Sequence, residues 1–250
     1  MTHSFDLLPV ILAAGKGSRL NQNQDDLPKA LIKINEKPLL YYHLDNLISL
    51  GFSQAIIVIG YKQDSFRRYV GNSYKSINIR YVVNEDFERS GTAWSLFLTQ
   101  QEWSASKNNV LFLHGDVFYD PLILQRVLKD DHSNLIVLDE EYSVKTNDEM
   151  VVLGEGSAVT SIFKGIPKDK NILGESLGIN KWSISFMESF YEVFSNYRDN
   201  HGMDHNWELI LDHVLKSSDI QNMYFMGIEG KSWVNINYQD DYEEAKSFIF

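Results

Sequence analysis

Short runs of apolar and β-branched residues alternate with longer amphipathic stretches along the first half of the chain. Short runs of this kind are typical of buried strands, and the amphipathic stretches are typical of helices that cover them. The alternation therefore predicts βαβ units around a mostly parallel sheet. We predict strands at residues 8–13, 55–60, 77–83 and 110–114, and helices at residues 39–50 and 92–101.

The apolar pattern becomes less regular from residue 135 onward and predicts a mixed sheet. A further helix should begin at Pro121, because Asp120 before it is a favourable N-cap and proline is favoured in the first turn. No repeat, low-complexity tract or clear linker interrupts the chain, so we predict one α/β domain over residues 1–250. The other predicted elements are strands at residues 135–139, 150–153, 158–163 and 176–179, and helices at residues 185–197, 207–216 and 242–250.

Composition limits the possible partners of this domain. The formal net charge of -11 argues against a nucleic acid, whose binding normally requires clustered lysine and arginine. The chain has no cysteine, which excludes disulfides, thiolate metal sites and cysteine nucleophiles. No apolar run approaches the ~18 residues that a membrane span requires, and the first nine residues lack the basic region of a targeting signal. We therefore expect a cytoplasmic protein, a monomer or homodimer, with no nucleic-acid or membrane partner.

A glycine-rich turn carries the strongest functional signal. Residues 12–20 read LAAGKGSRL and are followed by LPKAL at residues 27–31. Glycines directly after a buried strand let the backbone turn sharply, so that its N–H groups approach phosphate oxygens. Arg19 and Lys29 would then supply positive charge to the phosphates. A Rossmann or Walker motif fits less well, because the third glycine and the Gly-Lys-Ser/Thr triplet are missing at the required spacing.

This segment resembles the N-terminal signature of the nucleoside-diphosphate-sugar pyrophosphorylase superfamily, and later motifs recur in the same order over nearly the whole chain. The resemblance implies a Rossmann-like mixed, mostly parallel sheet flanked by helices, with a small β subregion for an acceptor. It also implies an NTP-binding half at roughly residues 1–133 and an acceptor-binding half at residues 134–250. By resemblance, the residues that bind the triphosphate are Leu12, Ala13, Ala14, Gly15, Gly17, Arg19 and Lys29.

A Ser-Gly-Thr sequence at Ser90, Gly91 and Thr92 is the next candidate, at a predicted strand-to-helix junction. Such a junction offers backbone groups and an N-cap hydroxyl, which suit either recognition of a base edge or a simple helix cap. The position matches the base-recognition loop of the superfamily, which favours nucleotide binding by these three residues, and by Asn84 to a lesser degree.

A metal site is predicted at the end of the strand at residues 110–114, because ligands of open α/β sheets gather at the carboxyl ends of strands. Asp116 lies there and resembles the metal-binding aspartate of the superfamily. Asn235 is the first choice for a second Mg²⁺ ligand and Asn237 the second choice, since they occupy positions where family members carry carboxylates. Asparagine oxygen is a neutral and weaker ligand for Mg²⁺ than a carboxylate.

The acceptor site is inferred from similarity to the phosphocholine and aminoalkylphosphonate cytidylyltransferases. In that branch a Gly-Glu-Ser-x-Gly-Ile segment, here around Glu175, replaces an apolar turn of the sugar enzymes. Lys164 would hold the acceptor phosphate, as in the sugar nucleotidyltransferases. A choline-like head would be met by carboxylates and by aromatic faces. The candidates for that role are Glu149, Glu175, Glu208, Tyr142, Trp182 and Trp207, each of which alone is also compatible with a structural or solvated role.

These motifs predict a Mg²⁺-dependent nucleotidyltransferase in which Arg19, Lys29 and Lys164 are the catalytic cations. The substrates would be an NTP, CTP in particular, and a small phosphorylated acceptor such as phosphocholine or an aminoalkyl phosphate or phosphonate. Two alternatives stay open. The sequence SGTA from Ser90 resembles the corresponding segment of the sugar and uridylyl enzymes more closely, so a sugar-1-phosphate nucleotidyltransferase is one alternative. Asn235 and Asn237 also make a non-catalytic nucleotide-binding regulatory protein conceivable.

Overall fold

A computed structural model describes residues 6–17, 19–20, 27–141, 148–165, 171–217 and 222–250 of the chain. The strands in these ranges are β1 (Leu7–Ala13), β2 (Lys33–Ile34), β3 (Lys37–Pro38), β4 (Gln54–Ile59), β5 (Ser73–Tyr74), β6 (Ile77–Val83), β7 (Asn109–His114), β8 (Val117–Tyr119), β9 (Leu135–Asp139), β10 (Met150–Glu155), β11 (Ala158–Lys164), β12 (Ile172–Trp182), β13 (Tyr224–Gly227) and β14 (Trp233–Asn235). The helices are α1 (Leu39–Ser49), α2 (Gln63–Tyr69), α3 (Thr92–Phe97), α4 (Gln100–Ser106), α5 (Pro121–Lys129), α6 (Ile184–His201), α7 (Trp207–Leu215) and α8 (Gln239–Ser247).

Ten of the described strands form one mixed sheet in the order β10-β11-β13-β9-β12-β7-β1-β4-β6-β5, with an additional pairing of β10 and β12. Strands β7, β1, β4 and β6 are parallel to one another, as the βαβ pattern predicts. Strand β12 runs antiparallel to both β7 and β9, and β10 runs antiparallel to β11. The parallel part of the sheet therefore belongs mainly to the first half of the chain, and the second half is mainly antiparallel.

Helices cover both faces of the central strands. One apolar cluster includes residues of α1, α2 and α5, and a second includes residues of α3, α4, α6 and α7. Successive residues of β1 point to opposite faces, so that Ile11 belongs to the first cluster and Val10 to the second, both fully buried. A parallel strand that is covered on both faces needs a continuous apolar run. This requirement explains the sequence of β1.

Several predicted elements differ from the structure at their boundaries. The helix predicted at residues 92–101 is divided into α3 and α4 beside Thr99, whose hydroxyl donates to the carbonyl of Leu96 at 2.6 Å. The last helix starts earlier than predicted, at Gln239, because Asp241 accepts the N–H of Tyr238 and caps the first turn. Asp120 caps α5 as predicted, by accepting the N–H of Leu122. Within the described ranges no helix is long and apolar enough to cross a bilayer.

A two-stranded ribbon of β8 and β14 lies beside the main sheet and was not predicted. Its antiparallel register pairs Asn235 with Val117, and the N–H of Ile236 donates to the carbonyl of Asp116 at 3.0 Å. The ribbon therefore carries a segment from the end of the chain to the carboxyl end of β7.

Candidate active site

A cavity of about 600 Å³ opens at the carboxyl end of β7 and is walled by residues from both halves of the chain. It brings together side chains that are widely separated in the sequence. The predicted site residues that line it are Arg19, Thr92, Asp116, Glu149, Lys164, Glu175, Glu208, Asn235 and Asn237.

Lys29 and Asp116 form an ion pair at the edge of this cavity. The Lys29 ammonium lies 2.8 Å from Asp116 Oδ2 and donates a second hydrogen bond to Asn237 Oδ1 at 3.1 Å. Burial by itself would raise the pKa of Asp116, but the charge of Lys29 and the nearby ring of His114 outweigh it and lower that pKa below its ordinary value. Asp116 is therefore a carboxylate at neutral pH.

Asn235 reaches this cluster through the pairing of β14 with β8. Its side-chain oxygen Oδ1 is buried, and no donor among the described residues satisfies it. A buried acceptor without a donor is costly unless a ligand occupies the site. One carboxylate oxygen of Asp116 and one amide oxygen of Asn235 are hard donors that fit Mg²⁺, which is commonly bound through few protein groups plus substrate phosphates. The oxygen of Asn237 is shared with Lys29 and fits as a second amide donor.

A second ionic network joins Arg19 to Lys164 through Asp148. Arg19 Nη1 lies 2.7 Å from Asp148 Oδ2, which also accepts the hydroxyl of Tyr238 at 2.7 Å, and Lys164 Nζ lies 2.6 Å from Asp148 Oδ1. The hydrogen bonds from Lys164 and Tyr238 and the positive charge of Arg19 lower the pKa of Asp148. One carboxylate thus holds two of the three predicted phosphate-binding cations.

The glycine-rich turn follows β1 directly and continues beside Lys29. Gly15 is exposed, whereas a Cβ atom at Gly17 would lie 3.1 Å from Lys29 Cβ, and Gly17 has the positive φ of 62° that favours glycine. Leu12, Ala13 and Ala14 have buried side chains, so they can reach a nucleotide only through their backbone.

The Ser-Gly-Thr loop has a different local role from the predicted N-cap. The start of α3 has no side-chain cap, and the hydroxyl of Thr92 instead accepts the backbone N–H of Trp207 at 3.0 Å, at the start of α7. Ser90 accepts a hydrogen bond from the buried amide of Asn84. A Cβ atom at Gly91 would lie 2.1 Å from the carbonyl oxygen of His205, so only glycine fits there. The loop therefore joins the two halves of the chain.

Asn84 is buried beneath the loop of Ser90, Gly91 and Thr92 and is not exposed for direct contact with a nucleotide. It is 1% exposed, its Nδ2 donates to the hydroxyls of Ser90 and Ser95 at 3.0 Å, and its Oδ1 accepts the N–H of Asp86 at 3.0 Å. Its hydrogen-bonding groups are therefore used within the loop. The structure gives Asn84 the role of holding the loop in shape.

The two predicted acceptor tryptophans do not face the cavity, which corrects that part of the sequence interpretation. Trp182 and Trp207 are completely buried and pack on Phe112. Because β12 runs antiparallel to β7, Trp182 pairs with Val110 at the far end of β7, away from Asp116. The third predicted ring, Tyr142, lies outside the described residues.

The three predicted carboxylates do line the cavity. Glu175 and Glu149 lie on or beside paired strands, and Glu208 lies in the first turn of α7. Burial, with a smaller contribution from the nearby Asp116, raises the pKa of Glu208 to about 8 against the opposing effects of the backbone and Lys164. Oxygen Oε2 of Glu208 is buried and has no hydrogen-bond partner among the described residues.

The sequence interpretation missed several residues of the wall. His114 lines the cavity, where Trp207 Nε1 donates to its Nε2 at 2.6 Å. Burial lowers the pKa of His114, so the ring is neutral and carries its proton on Nδ1. Asp148 and Tyr238 were missed because isolated polar residues in loops give no local signal of function. The adjacency of His114 to Asp116 in the sequence is the signal that could have identified His114.

Comparison with known proteins adds an independent observation. The family model described as "Nucleotidyl transferase" matches residues 8–148. The chain is 25% identical over 241 residues to choline-phosphate cytidylyltransferase of Streptococcus pneumoniae, covering 96% of this chain and 97% of that protein. It is 26% identical over 242 residues to D-glycero-alpha-D-manno-heptose 1-phosphate guanylyltransferase of Aneurinibacillus thermoaerophilus, covering 95% and 96%. A solved structure of CTP:phosphocholine cytidylyltransferase from S. pneumoniae superposes with a TM-score of 0.76 at 25% identity, covering 96% and 97%, and this likeness confirms the predicted fold.

Proposed function

Because this chain belongs to the nucleotidyl transferase family, we propose that it transfers a cytidylyl group from CTP to a small phosphorylated acceptor with a cationic head, releasing pyrophosphate. The family match confirms the resemblance that the glycine-rich signature indicated. One observation supports the finer assignment. The same cavity is lined by the cations Arg19 and Lys164, which suit phosphates, and by the carboxyl groups of Glu175 and Glu208, which suit a positive head.

The reaction needs no covalent enzyme intermediate. An oxygen of the acceptor phosphate attacks the α-phosphorus of the NTP, the new P–O bond forms, and the bond to the bridging oxygen breaks as pyrophosphate leaves. An ionised phosphate is already nucleophilic at neutral pH, so the protein mainly positions two polyanions and offsets their repulsion. Arg19 and Lys29 neutralise the triphosphate and the leaving pyrophosphate, and Lys164 holds the acceptor phosphate.

Phosphate groups entering the cavity would compete with Asp148 for Arg19 and Lys164, which it holds at 2.7 and 2.6 Å. Both cations are about half exposed, so their release from Asp148 requires no unfolding of a buried element. Asp148 therefore keeps the two side chains extended toward the cavity before the substrates bind.

Mg²⁺ is part of this proposal, with Asp116 and Asn235 as its protein ligands and Asn237 as a further amide donor. When bound, the ion would neutralise phosphate charge and align the phosphates. Lys29 keeps Asp116 ionised and ready for a cation. The unsatisfied Oδ1 of Asn235 is the structural support for this assignment.

Nucleotide recognition is assigned to the glycine-rich turn and to the backbone of the loop of Ser90, Gly91 and Thr92. The choice of CTP rests on similarity to a protein that is named as a cytidylyltransferase. A sugar-1-phosphate nucleotidyltransferase is the second candidate, because a heptose 1-phosphate guanylyltransferase is similar over nearly the same length. The carboxyl groups that line the cavity favour the first candidate, since they attract an ammonium head and do not attract a neutral sugar.

A substrate screen tests the proposal. Pyrophosphate release with Mg²⁺ should be measured for CTP, UTP, dTTP and GTP, each with phosphocholine, phosphoethanolamine and glucose 1-phosphate. We expect the highest kcat/KM for CTP with one of the two cationic acceptors. A clear preference for glucose 1-phosphate would replace the proposal with the sugar-nucleotide alternative. Nucleotide binding without release for every pair would favour the non-catalytic alternative.

A further inference from the structure

Glu208 is the most deeply buried of the three carboxyl groups of Glu149, Glu175 and Glu208 that line the cavity, at 6% exposed, and it lies in the first turn of helix α7. We propose that Glu208 selects an acceptor whose cationic nitrogen carries at least one N–H, that is an aminoalkyl phosphate or phosphonate, over a quaternary ammonium. This inference rests on the proposed function and names the substrate class of that same cavity.

The position of Glu208 is fixed by its neighbours. The backbone N–H of Trp207, directly before it, is held by the hydroxyl of Thr92 at 3.0 Å, and the indole of Trp207 is held by His114 at 2.6 Å. Helix α7 packs on β11 and α6 with its buried face. The start of α7 is therefore held in place, and the buried carboxyl group of Glu208 lies at the cavity wall.

Oxygen Oε2 of Glu208 defines what the ligand has to provide. It is buried, it lacks a donor among the described residues, and the side chain lines the cavity. A primary, secondary or tertiary ammonium can donate an N–H to it. A trimethylammonium group brings the charge but has no N–H, so the oxygen would stay without a hydrogen bond. A hydrogen bond to a charged group is among the stronger ones in proteins, and an unmet buried acceptor is costly.

The charges around Glu208 make its proton part of the recognition. The carboxyl groups of Asp116, Glu149 and Glu175 line the same cavity, Lys164 is the positive charge that acts on Glu208, and the His114 ring is neutral. Burial raises the pKa of Glu208 to about 8, so the ligand-free side chain is mostly protonated at pH 7. An incoming ammonium favours the carboxylate, and the displaced proton must leave. Binding should therefore release most of one proton per site at pH 7, and less as the pH rises through 8.

A methylation series tests the selection directly. The acceptors are phosphoethanolamine and its N-methyl, N,N-dimethyl and N,N,N-trimethyl forms, the last being phosphocholine, assayed with CTP and Mg²⁺. If the hydrogen bond from the N–H determines selection, kcat/KM changes little with the first and second methyl groups. It falls about 10- to 100-fold with the third methyl group, which removes the last N–H. An even decline at each step, or phosphocholine as the best acceptor, overturns the inference and leaves the proposed function standing. Turnover with none of the four overturns the proposed function and this inference with it.

Glu208→Gln provides the second test, with Glu192→Gln, an exposed carboxylate on α6, as the matched control. Glutamine has nearly the same shape as glutamate but cannot become negatively charged. The decrease in kcat/KM between the dimethyl and the trimethyl acceptor should therefore be only a few-fold in this variant. Proton release on binding of phosphoethanolamine at pH 7 can be measured by calorimetry in buffers of different ionisation enthalpy. The wild type and Glu192→Gln should release the proton, and Glu208→Gln should lose most of this release. Equal proton release by all three proteins would overturn the inference, because it would place the proton on another group.

Discussion

Thr92→Val separates two roles for a residue in the predicted base-recognition loop. Valine has the shape of threonine but removes the hydroxyl that accepts the N–H of Trp207 at 3.0 Å. Loss of a side-chain acceptor at a helix start costs about 1 kcal/mol, with a range of roughly 0.5 to 2 kcal/mol. For a chain of 250 residues this corresponds to a fall in Tm of about 2 to 4 °C.

Thr92→Val should also affect the KM for the acceptor more than the KM for the nucleotide. The Thr92 hydroxyl fixes the turn that carries Glu208, so a loosened α7 should raise the acceptor KM by about three- to ten-fold while the KM for CTP changes less. Differential scanning calorimetry and steady-state kinetics measure the two effects. Thr92→Ser keeps the hydroxyl and is the control, for which we expect a near wild-type Tm. An unchanged Tm in Thr92→Val, or a rise confined to the KM for CTP, would refute the reasoning and restore Thr92 as a nucleotide contact.

Three further predictions concern the ion pair and one buried histidine. Asp116→Ala should lower kcat by about 100-fold or more with an unchanged circular dichroism spectrum, and wild-type turnover in saturating Mg²⁺ would remove Asp116 from the site. Lys29→Ala should lower kcat as well as CTP affinity, because charge on the leaving pyrophosphate grows in the transition state; a change in KM alone would limit Lys29 to ground-state binding. His43 is 1% exposed, and burial lowers its pKa to about 4 from 6.5, so the unfolded chain binds its proton first as the pH falls. His43 should therefore lower the free energy of unfolding by about 2 to 3 kcal/mol when the pH falls from 7.5 to 4.5. Urea unfolding at these two pH values should show a smaller decrease for His43→Phe than for the wild type. An equal decrease would assign the acid sensitivity to other groups.

Local patterns in the sequence were sufficient for the parallel half of the fold. Strands β1, β4 and β7 are continuous apolar runs because helices cover both of their faces, and such runs can be recognised without knowing their partners. The cap of α5 at Asp120 depends on groups two residues apart, so it too was visible in the sequence. Asp116 could be placed for the same reason, since a strand end defines an edge of the sheet.

The remainder of the site depends on contacts between distant segments, which only the tertiary structure decided. Asn235 meets Asp116 because the three-residue strands β14 and β8 pair, and strands this short have no pattern of their own. Asp148 holds Arg19 across 129 positions of sequence, a contact that no local rule predicts. Trp182 was misjudged because its surroundings follow from the antiparallel direction of β12, which places Glu175 near the cavity and Trp182 at the far end of β7. Residue types and strand ends are local properties, whereas strand direction and pairing are set by how the whole chain buries its apolar surface.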